Sequence, residues 1–181
     1  MADKRKWIGM GYNLPVNPSK NRVYVWRKLK EAGAVYYKQG VTVLPYQKDK
    51  LAFFMKLSEK IREMGGEASI IEISFFDPAD ERELIRKFIE QSNEEYREML
   101  AECIKLRDEL RRSPDKIIAQ LKTEDTLRKM VNRYSRMRAR DHFRLPLSGE
   151  IEYGLRDIEE ILKMSAEDLF LQFRKLLDKL G

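Results

Sequence analysis

The chain has almost none of the residues from which proteins build covalent or metal cross-links. Among its 181 residues there is one cysteine, Cys103, and one histidine, His142. One cysteine cannot form an internal disulfide, and the two residues together do not supply the several Cys or His ligands of a typical zinc site. A chain of this length can bury a stable core without such cross-links. We therefore expect a protein of a reducing compartment, with no zinc site and no organic cofactor, while an all-carboxylate magnesium site stays open at this point.

Long apolar runs are missing as well. No stretch approaches the ~18 apolar residues of a membrane span. The apolar stretch Trp7 to Leu14 follows a charged amino terminus, but glycines and an asparagine interrupt it, and no small-residue cleavage site follows. The sequence therefore predicts a cytoplasmic protein that does not contact membranes.

The net charge of +6 is unevenly distributed. Residues 1–62 carry 14 basic and 4 acidic side chains, residues 63–127 carry 10 and 17, and residues 128–144 carry 7 and 1. Two separate basic regions favour an anionic partner, because concentrated charge of one sign attracts the opposite sign at a distance. The partner predicted from charge is nucleic acid or a small oxyanion.

The first 76 residues predict an α+β domain with the element order β-α-β-β-α-β. Trp7 to Leu14 alternates as a strand, and Ser19 fits the N-cap of a helix whose residues Val23, Trp26 and Leu29 recur at helical spacing. This spacing predicts that the three side chains face the core, and the alternative for Trp26 is that it stacks on a nucleic-acid base. A β-prone pair, a second amphipathic helix and a fourth strand over 69–75 follow. This order is that of the ferredoxin-like fold, with four antiparallel strands and two helices on one face.

Residues 77–181 predict a helical region packed on the first domain. Asp77 and Pro78 read as an N-cap and a first helical residue, and no helix breaker follows before Arg112. Cys103 lies on the apolar stripe of this long helix and is predicted to be a small core residue. A helix of this length must pack on other helices or on a second copy, so we expect a homo-oligomer.

Two segments resemble the amino-terminal domain of the chromate-resistance protein ChrB. The first contains Leu14-Pro15, Ser19, Arg22, Trp26-Arg27-Lys28-Leu29-Lys30, Gly33-Ala34, Gly40-Val41 and Leu44-Pro45. The second is Arg138-Ala139-Arg140-Asp141-His142-Phe143 followed by Pro146. The resemblance covers most of the chain and does not include the carboxy-terminal ChrB domain.

The resemblance implies a non-catalytic regulatory protein linked to chromate resistance, with transcription regulation and DNA binding, or the binding of an oxyanion, as the expected activities. The first half also resembles the small CRISPR adaptation nucleases, so a metal-dependent nuclease is the alternative. That mechanism needs a carboxylate at the end of the first strand to hold magnesium. Asn13 stands at that position, and an amide is a poor substitute. We therefore expect no catalytic residue and no metal ligand.

Two stretches are candidate anion-binding sites. Ser19, Lys20 and Arg22 open the first helix, where free N–H groups, the helix dipole and two cations suit an anion. The simpler interpretation is that Ser19 only caps the helix and that Arg22 pairs with a carboxylate of the later helices.

The other stretch is the basic segment 128–144. Arg133, Arg136 and Arg140 lie on one side of a predicted helix, which suits contact with nucleic-acid phosphates. The alternative is that the segment pairs with the acidic long helix. Asp141 is predicted to form a structural salt bridge with Arg22 or Arg27 rather than to serve as a catalytic carboxylate.

Overall fold

The computed structural model describes residues 5–38 and 40–180. Within these ranges the protein is α+β, with one four-stranded antiparallel sheet and seven helices. It divides into two compact units, Met1–Phe88 and Ile89–Gly181. The predicted boundary at 76–77 marks the start of the third helix, and the two units divide within that helix. None of the described helices combines the length and the apolar character that a membrane crossing requires.

The first unit contains the element order that the sequence predicted, followed by the start of a long helix. The strands are β1 Trp7–Asn13, β2 Val35–Tyr37, β3 Val41–Pro45 and β4 Glu67–Ile73. The helices are α1 Ser19–Glu31, α2 Lys48–Glu63, α3 Pro78–Arg112, α4 Pro114–Thr123, α5 Thr126–Arg140, α6 Leu147–Ser165 and α7 Glu167–Leu177. The predicted long helix is confirmed as α3, and Asp77 caps it by accepting a hydrogen bond from the Ala79 backbone N–H at 2.7 Å.

The sheet places β1 at its centre. Its strand order is β2-β3-β1-β4, and every neighbouring pair is antiparallel. Gly9 lies opposite Val43 on β3 and Ile71 on β4. A Cβ atom at Gly9 would lie 2.7 Å from Cδ1 of Ile73, so the neighbouring side chains already fill the space that a larger residue would need. Glycine here allows the strands to pack closely.

Helices of the first unit pack on one face of the sheet and on the Trp7 end of the other face. On one face, Ile8 and Met10 pack with buried residues of α1 and α2, which confirms the predicted inward face of β1. On the opposite face, the fully buried Trp7 stacks on Phe88 with ring centroids 5.7 Å apart. Its indole Nε1 donates to Glu81 Oε1 at 2.8 Å. The first turns of α3 therefore belong to this unit.

The second unit is a helical bundle built on the remainder of α3. Its core contains Tyr96, Met99, Cys103, Leu106 and Leu110 from α3, packed with apolar residues of α4 to α7. The burial of Cys103 is as predicted. Because helices of the same unit cover this stripe, the apolar surface that motivated the expectation of a homo-oligomer is already buried. Self-association stays a prediction.

Candidate functional site

Helix α1 exposes three large apolar side chains, Val23, Tyr24 and Trp26. Its buried residues are Val25 and Leu29, which join the first core. The prediction that Val23 and Trp26 face the core is wrong, since their exposed fractions are 44% and 48%. Val23 and Trp26 lie at helical spacing on one side of the helix, and Val25 lies on another side. The side with Val25 packs against the sheet, so Val23 and Trp26 remain at the surface.

Four cations surround the exposed side chains of Val23 and Trp26. Arg22, Trp26 and Lys30 follow one another at intervals of four residues, so they lie on one side of the helix. Lys20, Val23 and Arg27 form the adjacent row, at intervals of three and four residues. We call this exposed set the α1 face, and it consists of Lys20, Arg22, Val23, Trp26, Arg27 and Lys30.

Most of the positive charge of the α1 face is not neutralised. Glu31 is the single acidic residue of the helix, and its carboxylate pairs with Lys28 at 2.7 Å, outside this set. Within the described residues of the first unit, Lys20, Arg22 and Arg27 form no ion pair. Lys30 places its Nζ 5.4 Å from the centroid of the Trp26 ring, a cation–π contact. The face therefore presents an aromatic ring among available cations.

The amino-terminal end of α1 differs from the sequence prediction in one respect. Ser19 is the first helical residue instead of the N-cap; the preceding Pro18 occupies the cap position, and no side chain caps the helix. The first turn contains no acidic residue. Lys20 and Arg22 stand where the helix dipole disfavours positive charge. The predicted anion-binding residues Ser19, Lys20 and Arg22 are thus adjacent and exposed, and anion binding by them stays a prediction.

The basic helix α5 is engaged with α3 inside the second unit. Arg133 contacts Glu98 at 3.0 Å and Glu102 at 2.5 Å. Arg140 contacts Glu95 at 2.5 Å. These pairs favour the internal alternative for two of the three arginines that we considered for nucleic-acid contact. Arg136 is exposed and has no ion pair with a described residue, so its contact with phosphate stays a prediction.

Asp141 is held within the second unit as well. Its carboxylate accepts hydrogen bonds from the Tyr96 hydroxyl at 3.1 Å and from the backbone N–H groups of Phe143 at 3.0 Å and Leu145 at 2.7 Å. Burial raises the pKa of the Tyr96 hydroxyl, and the charge of Asp141 adds to the effect. This carboxylate therefore fixes the turn after α5. A salt bridge from Asp141 to Arg22 or Arg27, which belong to the first unit, stays a prediction.

Metal-ligating side chains are not gathered in the part of the chain that the structure describes. No group of three or more His, Cys, Asp or Glu residues there could hold a metal ion. Asn13, which stands where the nuclease alternative needs a carboxylate, is exposed at the end of β1 opposite Glu67. Burial raises the pKa of the Cys103 thiol to about 11, which leaves it protonated at neutral pH.

Comparison with known proteins connects these features to one family. The family model described as "Protein ChrB, N-terminal" matches residues 22–176, which is most of the chain and includes α1 from Arg22 onward. No curated protein and no solved structure matches the chain.

Proposed function

Because the chain belongs to the family of the ChrB amino-terminal domain, we propose that it is a non-catalytic regulator of the chromate-resistance type and that it binds nucleic acid through the α1 face. The observation that carries the proposal is the cluster of unpaired cations around an exposed aromatic ring on α1. Cations that neutralise phosphates and release counterions provide most of the affinity for nucleic acid.

The dimensions of the α1 face favour a polyanion over a small oxyanion. Arg22 and Lys30 are eight residues apart, so their backbones are separated by about 12 Å along the helix. A single tetrahedral oxyanion can contact only neighbouring cations. A nucleic-acid strand carries a charge every ~3.4 Å and can meet the whole row. A small oxyanion bound near Ser19 and Lys20 would then compete with nucleic acid for one end of the α1 face.

The arrangement of the first unit supports assignment to the ferredoxin-like fold. Strands β1 and β3 are central, all neighbouring strands are antiparallel, and α1 and α2 share one face of the sheet. These are the features of the split βαβ pattern that the sequence predicted. In this arrangement α1 packs its inner side on the sheet and presents the α1 face outward.

Fluorescence anisotropy over a salt series tests the proposal. The probes are a labelled duplex and a labelled single strand of about 20 nucleotides, measured between about 50 and 200 mM salt. Replacing Arg22 and Arg27 together by alanine should flatten the dependence of log affinity on log salt by about two units if both contact phosphate. Arg97→Ala with Lys105→Ala is the matched control, because it removes two exposed cations from α3 in the second unit.

Two results would contradict the proposal. One is an absence of salt-dependent binding of either probe to the unmodified protein. The other is an equal loss of slope in the control variant, which would indicate a general charge effect instead of a site. Adding Mg²⁺ to the same samples also tests the nuclease alternative, since cleavage of either probe would mean that the protein is an enzyme.

A further inference from the structure

We propose that Trp26 stacks on an unpaired base, so that the ligand of the α1 face is a nucleic acid with single-stranded or unstacked nucleotides. The inference rests on the proposed function and adds the ligand class and the residue that selects it. Its evidence is the position of one half-exposed indole among the four cations of the α1 face.

The two tryptophans of the chain have opposite environments. Trp7 is completely buried, stacked on Phe88 and hydrogen-bonded to Glu81, as expected for an aromatic residue that stabilises a core. Trp26 makes no comparable contact with the core of its unit and is 48% exposed. Packing inside the first unit therefore does not explain the presence of a tryptophan at this position.

The surroundings of Trp26 match those of a base-stacking platform. Proteins that bind single strands combine aromatic side chains, on which bases stack, with cations that follow the backbone. Arg22 and Lys30 stand one helical turn before and after Trp26, and Arg27 stands in the adjacent row. A nucleotide stacked on the indole would have its phosphates within reach of these side chains.

Other partners fit the same surface less well. A twofold contact with a second copy through the α1 face would bring its four cations against four identical ones. Protein–protein interfaces are also depleted of lysine at their centres, whereas two of the four cations are Lys20 and Lys30. A base inside a duplex is already stacked on both sides, so only an unpaired base offers the indole a free face.

Three oligonucleotides of equal length separate stacking from charge. They are a single strand, a duplex, and an abasic strand that retains the phosphates without the bases, each of about 20 nucleotides. Trp26→Ala should weaken binding of the single strand by roughly 5- to 150-fold, the ratio that corresponds to ~1–3 kcal/mol for one stacked base. Binding of the abasic strand should be unchanged by the same substitution. Trp26→Phe should restore part of the affinity, and Tyr153→Ala removes a 73% exposed aromatic residue of the second unit as the control.

Intrinsic fluorescence provides a second measurement on the unmodified protein. A stacked base should quench the emission of Trp26 and leave that of the buried Trp7, so the quenching should disappear in Trp26→Ala. The inference is overturned if Trp26→Ala binds the single strand as tightly as the parent, or if it weakens binding of the abasic strand equally. Tighter binding to vesicles of anionic lipid than to any oligonucleotide would also overturn it.

The same data separate failure of the inference from failure of the proposed function. If the duplex binds through Arg22 and Arg27 while Trp26→Ala has no effect, the nucleic-acid function stands and the stacking proposal is wrong. If none of the three oligonucleotides binds the parent protein, both are wrong.

Discussion

The guanidinium of Arg140 donates to the carboxylate of Glu95 at 2.5 Å, joining the last turn of α5 to the middle of α3. Both side chains are mostly buried, with exposed fractions of 19% for Arg140 and 26% for Glu95. Arg133 repeats the connection at Glu98 and Glu102, about two turns earlier along α5 and one to two turns later along α3. The two helices are therefore antiparallel, and their opposite charges meet in register.

This pairing predicts that Arg140 contributes to stability. Arg140→Ala should lower the free energy of unfolding by about 1 kcal/mol, because it leaves Glu95 partly buried without its cation. Arg136→Ala, on the exposed side of the same helix, should change it by less than ~0.5 kcal/mol. Urea unfolding of both variants checks the prediction. An unchanged midpoint for Arg140→Ala together with a flattened salt slope in nucleic-acid binding would instead place Arg140 in the interface.

The cations at the start of α1 should be unfavourable for the unbound protein. Lys20→Glu replaces a positive charge by a negative one at the positive end of the helix dipole, which should raise stability by ~0.3–1 kcal/mol. The same change should weaken nucleic-acid binding, because it places a like charge beside the phosphates. Thermal unfolding and anisotropy on one preparation give both quantities. Lys105→Glu on α3 is the control for overall charge, and a loss of stability in Lys20→Glu would contradict the dipole argument.

Even alanine in place of Gly66, which follows α2, should destabilise the protein. A Cβ at Gly66 would lie 2.4 Å from the carbonyl oxygen of Asn13 and 2.8 Å from Cδ2 of Leu14. Backbone at this distance cannot give way freely, so Gly66→Ala should destabilise the protein by ~1–3 kcal/mol. Gly11→Ala in β1 is the control, since nothing lies within 4 Å of its added Cβ. Equal midpoints for the two variants in urea unfolding would contradict the close contact between Gly66 and the backbone of Asn13.

The buried thiol of Cys103 should react slowly in the folded protein. Burial raises the pKa of Cys103 to about 11 and keeps reagents away from it. Because the folded-state pKa lies above the unfolded one, the contribution of the thiol to stability is complete below about pH 9 and is lost as the pH rises toward 11. A disulfide reagent at pH 8 should therefore react slowly, at a rate that urea increases. Immediate reaction without denaturant would show that α3 is not packed as described.

The secondary structure followed from local sequence patterns. Alternation in Trp7 to Leu14, the Asp77-Pro78 start of α3 and the breaks at its end are short-range signals, so the strands and the long helix were predictable. The cap of α1 was not predictable to the residue. Ser19 and Pro18 are neighbours at the helix start, and the backbone conformation that decides between them depends on the path of the loop before it.

The sequence by itself also determined where the charge is concentrated, since the basic segments 1–62 and 128–144 and the acidic segment 63–127 are properties of composition. Only the tertiary structure decided which of those charges are available. Packing of α5 on α3 brings Arg133 and Arg140 to carboxylates 31 to 45 residues earlier in the chain. Packing of α1 on the sheet buries Val25 in the core and leaves Trp26 exposed. Both outcomes depend on contacts between residues distant in sequence, and helical periodicity alone leaves two apolar rows equally acceptable.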